Sequence, residues 1–348
     1  MSMSGVRVSL TREEDKHLPA FDYTKLTSIN TCPRWGLVTH EAHKRMPGRG
    51  RSTALECGAA CHEVFAAIRL WQLGNVQRKP GLMERRGLEL YTPARWAQMM
   101  HTQDFNSNSP STNMMHFALE ALYTSGYYDD PNDRRRTLTN MEESLIAYCD
   151  RWDCERFPIY ISPDEQFIGI EVGFDLTLDF NGDRLRYTGR MDGLHWDGSD
   201  DVIVPHENKT AARIDESWLA SFQMSHQVTG YTVAASVLAQ RPCSTAIVYG
   251  LTIPLPKRAD YGGYVREHVQ RHPHLIGQWA AWVWDTFQVW KQHRAEPLLA
   301  PTYTHSCNRY FHSCSLLPLC TAKPDDARHM FDVEMEHEEW NPLAERAT

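Results

Sequence analysis

The sequence contains no apolar run of the roughly 18 residues needed to cross a bilayer. Its first residues, MSMSGVRVSLTREEDKH, carry charge where a secretory leader needs an apolar stretch. Both absences predict a soluble, cytoplasmic protein with no membrane partner. Internal repeats and low-complexity segments are also missing, which argues against solenoid and fibrous architectures. The nine cysteines are an odd number in a chain of 348 residues, far too long for a small disulfide scaffold. Metal ligation or plain burial explains them better. At 42% hydrophobic content the chain can bury one large core or two modest ones without covalent staples.

An excess of basic charge is missing too. Lys and Arg number 36 against 44 Asp and Glu, a formal charge of −8, whereas proteins that hold nucleic acid neutralise phosphates with Lys and Arg. The distribution changes that reading. From Asp325 onward eight acids stand against only Arg328 and Arg346, so most of the negative charge lies there. This acidic end, 325–348, reads either as a tail or as a partner-binding surface. Elsewhere Lys44, Arg45, Arg49 and Arg51, then Arg78 and Lys79, then Arg134, Arg135 and Arg136 form local clusters, either phosphate contacts or solvated surface.

Periodicity orders the chain. In residues 52–73, Cys57, Cys61, Val64, Ile68 and Trp71 recur at steps of four and three, a buried helical stripe. Residues 74–156 read as a helical insertion, with helices near 113–124 and 139–153 separated by turn-rich segments. From Glu171 the period becomes two, through Val172, Phe174, Leu176, Leu178 and Phe180. Further strands are expected over Arg184–Trp196, Val202–Lys209 and 244–253, with helices over Glu216–Ala239 and 273–293. The expected class is α/β, a mixed central sheet flanked by helices, with 1–324 as a single domain.

Asp192 in YTGRMDGL and Glu207 in PHENKT are equidistant from the intervening DGSDD turn at 197–201, so a regular hairpin makes them cross-strand neighbours. Directly opposed residues have Cβ atoms about 4.5–5.5 Å apart. Two carboxylates so placed repel unless a cation lies between them. Pro205 is the position at which a bulge would slip that register. Lys209 follows Glu207 by two and so emerges on the same strand face. A cation that polarises a phosphoryl oxygen and activates water, beside an ammonium group, is what phosphodiester hydrolysis requires. Oxygen ligands favour Mg2+ or Mn2+, and His62, beside the stripe of its helix, is the candidate nitrogen ligand.

The ordered series G-x3-H (Gly58 to His62), E-x2-F (Glu171 to Phe174), G-x2-D (Gly189 to Asp192), E-x-K-T (Glu207 to Thr210) and Q-x3-Y (Gln227 to Tyr231) resembles RecB-like members of the PD-(D/E)XK nuclease superfamily. The resemblance spans residues 58–231 and implies a restriction-endonuclease-like core. It implies His62, Asp192 and Glu207 as metal ligands and Lys209 as the catalytic lysine. Gln227 and Tyr231, one helical turn apart, would contact a DNA strand or order Lys209, and Glu171 would support the site. The activity implied is metal-dependent hydrolysis of DNA, as an exonuclease on single-stranded ends, in repair or recombination. A catalytically silent DNA-binding or adaptor protein is the alternative, and protein partners or a homo-oligomer stay open.

Cys307, Cys314 and Cys320 form C-x6-C-x5-C, with Cys32 far upstream. The arrangement looks like iron–sulfur members of the same superfamily, where one cysteine precedes the nuclease core and three follow it. It implies a 4Fe-4S cluster, with zinc or buried free thiols as the alternatives. The usual tail spacing there is C-x2-C-x5-C, from which Cys307 departs. Cys57, Cys61, Cys149, Cys154 and Cys243 read as core.

Overall fold

The structure, a computed structural model, describes residues 2–3, 5–47, 52–75, 77, 110–151, 157–163, 165, 167–197, 202–255, 263–309 and 312–338. Much of the expected insertion, the centre of the DGSDD turn, Arg49, Arg51, Arg78, Lys79, Cys154 and the last ten residues lie outside these. In chain order the elements are β1 (Ser2–Met3), β2 (Val6–Leu10), β3 (Ala20–Phe21), α1 (Tyr23–Thr31), α2 (Pro33–His40), β4 (Lys44–Arg45), α3 (Thr53–Asn75), α4 (Pro110–Thr124) and α5 (Leu138–Arg151). There follow β5 (Ile170–Phe180), β6 (Asp183–Trp196), β7 (Ile203–Ala211), α6 (Glu216–Ala220), α7 (His226–Leu238), β8 (Thr245–Thr252), β9 (Tyr264–Gln270) and α8 (Pro273–His293). The chain ends with β10 (Asn308–Arg309), β11 (His312–Ser313), α9 (Leu317–Thr321), α10 (Pro324–His329) and β12 (Glu336–His337). Strand pairing is mostly antiparallel with helices around it, a mixed α/β architecture. Among the described residues no helix is long and apolar enough to cross a membrane.

The chain divides into two compact units, each discontinuous in sequence. One comprises Met1–Gly50, Gly173–Gly189 and Pro273–Glu345, the other Arg51–Val172, Arg190–His272 and Arg346–Thr348.

In the second unit the strand order is β6-β7-β8-β9. β6 and β7 are antiparallel, with Gly193 opposite His206 and Leu194 opposite Pro205. Pro205 therefore causes no slip, and the same register carried one pair further sets Asp192 opposite Glu207. β7 and β8 are parallel, which requires a crossover; α6 and α7 supply it. A single helix is expected over Glu216–Ala239, but the chain breaks at Ser225. Its hydroxyl accepts the Val228 N–H and starts a new helix, the role for which serine suits an N-cap. The stripe Cys57, Cys61, Val64, Ile68 and Trp71 is buried, and so are Ala60, Phe65, Ala67, Leu70 and Leu73. α3 is thus covered on more than one side, by α4 and α5 and by Val204, Ile247 and Tyr249 of the sheet.

In the first unit β2 pairs antiparallel with β5, and β3 parallel with β6. β5 turns into β6 through Asn181 (φ 56°) and Gly182 (φ 104°), both left-handed, as a tight hairpin of the Asn-Gly kind demands. Phe174, Leu176 and Leu178 are buried, and so is Thr177 between the last two. Phe21 packs edge-on against Phe287 and Trp290 of α8, with ring centroids 5.7 and 5.3 Å away.

Where the sequence suggests a tail from Asp325, residues up to 338 are instead built into this unit. β12 pairs with β4, setting Glu336 opposite Arg45, and Arg45 forms ion pairs with Glu336 (2.9 Å) and Glu338 (3.4 Å). The acidic composition hides one apolar anchor: Met335 is 5% exposed and packs with Val38, Leu316 and Leu319. Truncating a buried methionine to alanine costs about 2–5 kcal/mol. Met335→Ala should lower the urea midpoint of unfolding accordingly; a segment free in solution would leave it unchanged.

Candidate metal centre

Every residue of the centre belongs to the second unit, and together they arrive on five elements. His62 lies on α3, whose first turn is capped by the Ser52 hydroxyl accepting the Leu55 N–H (3.2 Å). Asp192 lies on β6, Glu207 and Lys209 on β7, and Gln227 and Tyr231 on α7. Glu171 stands at the start of β5 with φ +47°, a left-handed backbone that a non-glycine residue rarely adopts in a strand. That twist interrupts the alternation, since Ile170, Glu171 and Val172 are all buried in succession. Backbone departures of this kind concentrate at functional sites.

One ligand atom from each of His62, Glu171 and Asp192 lies within 4.8 Å of the others. His62 Nδ1 is 3.0 Å from Asp192 Oδ1. The second carboxylate oxygen of Asp192 accepts the backbone N–H of Asn208 at 2.6 Å. Glu207 forms an ion pair with Lys209 through Oε1, and the same oxygen accepts from Gln227 Nε2 at 2.9 Å. Gln227 Nε2 also meets the Tyr231 hydroxyl (3.0 Å), which in turn donates to the Arg190 carbonyl (2.9 Å). Among the described residues Glu207 Oε2 is buried with no hydrogen-bond partner. A buried, unpartnered carboxylate oxygen is costly unless something fills its lone pairs, so the donor set suits a cation.

Electrostatics separates the two facing carboxyls. Burial pushes Asp192 up, but the adjacent His62, the Asn208 N–H and the Lys209 ammonium outweigh it and hold the group below its ordinary value. Glu207 goes the other way. Burial first, then the neighbouring Asp192, raise it to about 7 against the pull of Lys209.

Of the three ligands named from the sequence, His62 and Asp192 enter the group of three, and Glu171, expected only as support, joins them. Glu207 stands beside this group, held by Lys209 and Gln227. Gln227, itself in contact with Tyr231, thus meets the same oxygen of Glu207 as Lys209 does. Sequence reasoning missed Asn208, because its contribution is a backbone N–H that any residue carries. It also missed the buried pair His195 and His206, which flank Asp192 and Glu207 in sequence.

The four cysteines named from the sequence belong to the first unit, and all line one cavity of about 190 Å³, together with Trp35, Leu316 and Leu317. Cys32 is the residue at which α1 ends and α2 begins, with Pro33 opening the second helix. Between Cys307 and Cys314, β10 pairs antiparallel with β11, Asn308 opposite Ser313 and Arg309 opposite His312. That pairing lets Cys314 N–H donate to the Cys307 carbonyl (2.7 Å). The departure from the shorter spacing is thereby absorbed by a strand pair with the two cysteines at its feet. The Ser306 hydroxyl donates to the Thr31 carbonyl (2.7 Å), tying this segment to the residue before Cys32. All four are free thiols. Burial raises the Cys320 thiol, with Cys32 and Cys314 adding to the effect and Arg34 opposing it. A metal or cluster would hold such thiols as thiolates, so its binding would release protons. Cys57, Cys61, Cys149 and Cys243 are buried elsewhere.

No family model matches the chain, and no curated protein matches it. Among solved structures it is similar to the crystal structure of SSO0001, at 18% identity and a TM-score of 0.27, over 44% of this chain and 60% of that one. The chain thus matches less than two thirds of SSO0001. It is also similar to Scheffersomyces stipitis Rai1, solved with (3'-NADP)+ and calcium, at 8% identity and a TM-score of 0.24, over 91% of this chain and 72% of that one.

The raised Glu207 has a consequence for stability. In metal-free protein the folded chain keeps this proton up to about pH 7, whereas the ordinary glutamate value is 4.5. Over that window the folded state binds more protons than the unfolded one, so stability falls as pH rises. The fall should reach about 3 kcal/mol, at about 1.36 kcal/mol per pH unit. Urea unfolding from pH 4.5 to 7.5 should show this decline in wild type, and Glu207→Gln should remove it. Equal slopes in the two proteins would contradict the raised value.

Proposed function

We propose that this protein is a metal-dependent deoxyribonuclease with a RecB-like PD-(D/E)XK core, acting as an exonuclease on single-stranded ends. The observation that carries the reading is the convergence of His62, Glu171 and Asp192 within 4.8 Å, beside the Glu207–Lys209 ion pair. One nitrogen and several carboxylate oxygens suit Mn2+ or Mg2+. When bound, such a cation polarises a phosphoryl oxygen and makes water a competent nucleophile.

The remaining work falls to the protein's own side chains. Lys209 keeps a positive charge beside the carboxylates, where negative charge develops on a phosphoryl group under attack. Glu207, buried beside the three ligands and joined to Lys209, would give its second oxygen to the cation or take the proton of the attacking water. Gln227, itself in contact with Tyr231, fixes the carboxylate that does so. In the same reading Cys32, Cys307, Cys314 and Cys320 hold a 4Fe-4S cluster, with zinc as the competing occupant.

Incubation with end-labelled single- and double-stranded DNA, with Mg2+, Mn2+ or chelator, tests the activity directly. Cleavage should depend on the metal. Asp192→Ala, Glu207→Ala and Lys209→Ala should each lower it by about 10²–10³-fold while leaving the fold intact. Lys209→Ala alone should keep wild-type metal affinity. Wild-type cleavage in any of the three would refute the assignment, and DNA binding without cleavage under both metals would point to an adaptor.

For the cluster, anaerobically prepared protein should be brown and contain iron. Cys314→Ala or Cys320→Ala should lose both, whereas Cys57→Ala or Cys243→Ala should keep them. Zinc in place of iron in the wild type would identify a structural zinc site.

A further inference from the structure

A buried polar chain runs through the second unit next to the metal centre. His195 Nδ1 lies 2.8 Å from the Phe157 carbonyl oxygen, which can only accept, so Nδ1 carries the proton and donates. In a neutral ring His195 Nε2 then accepts, and His206 Nδ1, 2.8 Å away, donates to it. That leaves His206 Nε2 as an acceptor, facing Arg69 Nη2 at 3.3 Å; the Asn208 side-chain amide, 3.1 Å from the same nitrogen, satisfies it only with its NH2 group, not Oδ1, turned to the ring. Burial and the Arg69 charge hold His206 well below the usual histidine range, in keeping with a neutral ring. Arg69 also donates to Gln72 Oε1 at 2.8 Å. Tyr249 carries the His206 ring on its face, 4.3 Å between centroids, and the Arg69 guanidinium at 5.1 Å. Gly193 leaves room for the pair: a Cβ there would lie 2.8 Å from His195 Nε2 and 2.9 Å from His206 Nδ1.

The chain touches the elements that deliver His62, Asp192 and Glu207. Arg69 lies two helical turns beyond His62 on α3, so the two share a face. His206 precedes Glu207 on β7, and His195 follows Asp192 by three on β6. The segment gripped at Phe157 leads to Tyr160 and Gly169, whose backbone bonds to Leu194 and to each other (2.8–3.1 Å) lead into Glu171. We infer that Arg69, His206 and His195 are positioning residues of the metal centre, a relay that fixes α3, β6, β7 and the approach to Glu171 at the spacing the cation needs. The inference rests on the metal-site reading above and adds to it the residues that set the geometry.

The test is Mn2+ affinity of the full chain by calorimetry without DNA, with near-UV circular dichroism confirming the fold. Arg69→Met and His206→Asn cut the same junction from its two sides, the second keeping a donor toward His195. Each should weaken Mn2+ binding by about tenfold or more, the usual effect of losing an outer-shell partner. The double variant should be no weaker than either single, since both remove one contact. His195→Asn, which keeps the bond to Phe157 and cuts the one to His206, is the further variant should either of those fail to fold. Folded variants with wild-type Mn2+ affinity, even with a lowered melting point, would reduce the relay to ordinary core and overturn the inference alone. A wild type that takes up no Mn2+ would overturn the metal reading itself.

Discussion

Asp192 and Glu207 lie one step beyond Gly193 and His206, the last pair of the β6–β7 ladder, and are 7% and 3% exposed. Two carboxylates excluded from water at such a separation cannot both ionise without a counter-charge. The surroundings of this pair follow from that constraint. His62 and the Asn208 N–H meet Asp192 and favour its charge; Lys209 and Gln227 meet only one oxygen of Glu207, leaving the other unfilled. The result is one carboxylate and one carboxylic acid in metal-free protein, and the proton on Glu207 stands where a cation's charge would otherwise act. Binding of a divalent cation and release of that proton are therefore linked.

Holding such a pair demands a rigid frame, because a shift of one residue in strand register would turn one carboxylate to the opposite sheet face. The register is fixed from both sides of β7, by the antiparallel ladder to β6 and by six parallel pairs to β8. His195 and His206 fill the space over Gly193 between them. Polar groups buried this deeply confer geometry when every member is satisfied and cost stability when one is not, which suits a device for precision better than one for overall stability.

The parts of the site that could be read in the sequence were those encoded locally. Equal distances of Asp192 and Glu207 from their turn fixed the ladder register, and the period of two placed Lys209 on the face of Glu207. Helical spacing found α3, and through it His62. Glu171 resisted because its position depends on a left-handed φ at the residue itself, and glutamate is not a residue type that favours one. The break between α6 and α7 turned on a single serine cap inside an otherwise helical pattern. β9 and the short helices α1 and α2 carry weak periodic signals and are set by what they pack against. The anchor of the acidic end is one methionine, which composition does not reveal: net charge describes a segment's solvent side and says little about a single anchor in a core.

The cysteine set and the metal centre occupy different compact units, so their roles can be separated. The thiols link Cys32 with Cys307, Cys314 and Cys320, positions far apart in the chain and gathered around one cavity. A metal or cluster there would close a very long loop, and the entropy it removes from the unfolded chain grows with loop length, though slowly. None of these cysteines belongs to the carboxylate site. Loss of the bound group should therefore act on the first unit's cohesion, where Val38, Leu316 and Leu319 pack beside the cavity. The local field that sets Asp192 and Glu207 apart comes from their own immediate neighbours, and those neighbours all come from the second unit.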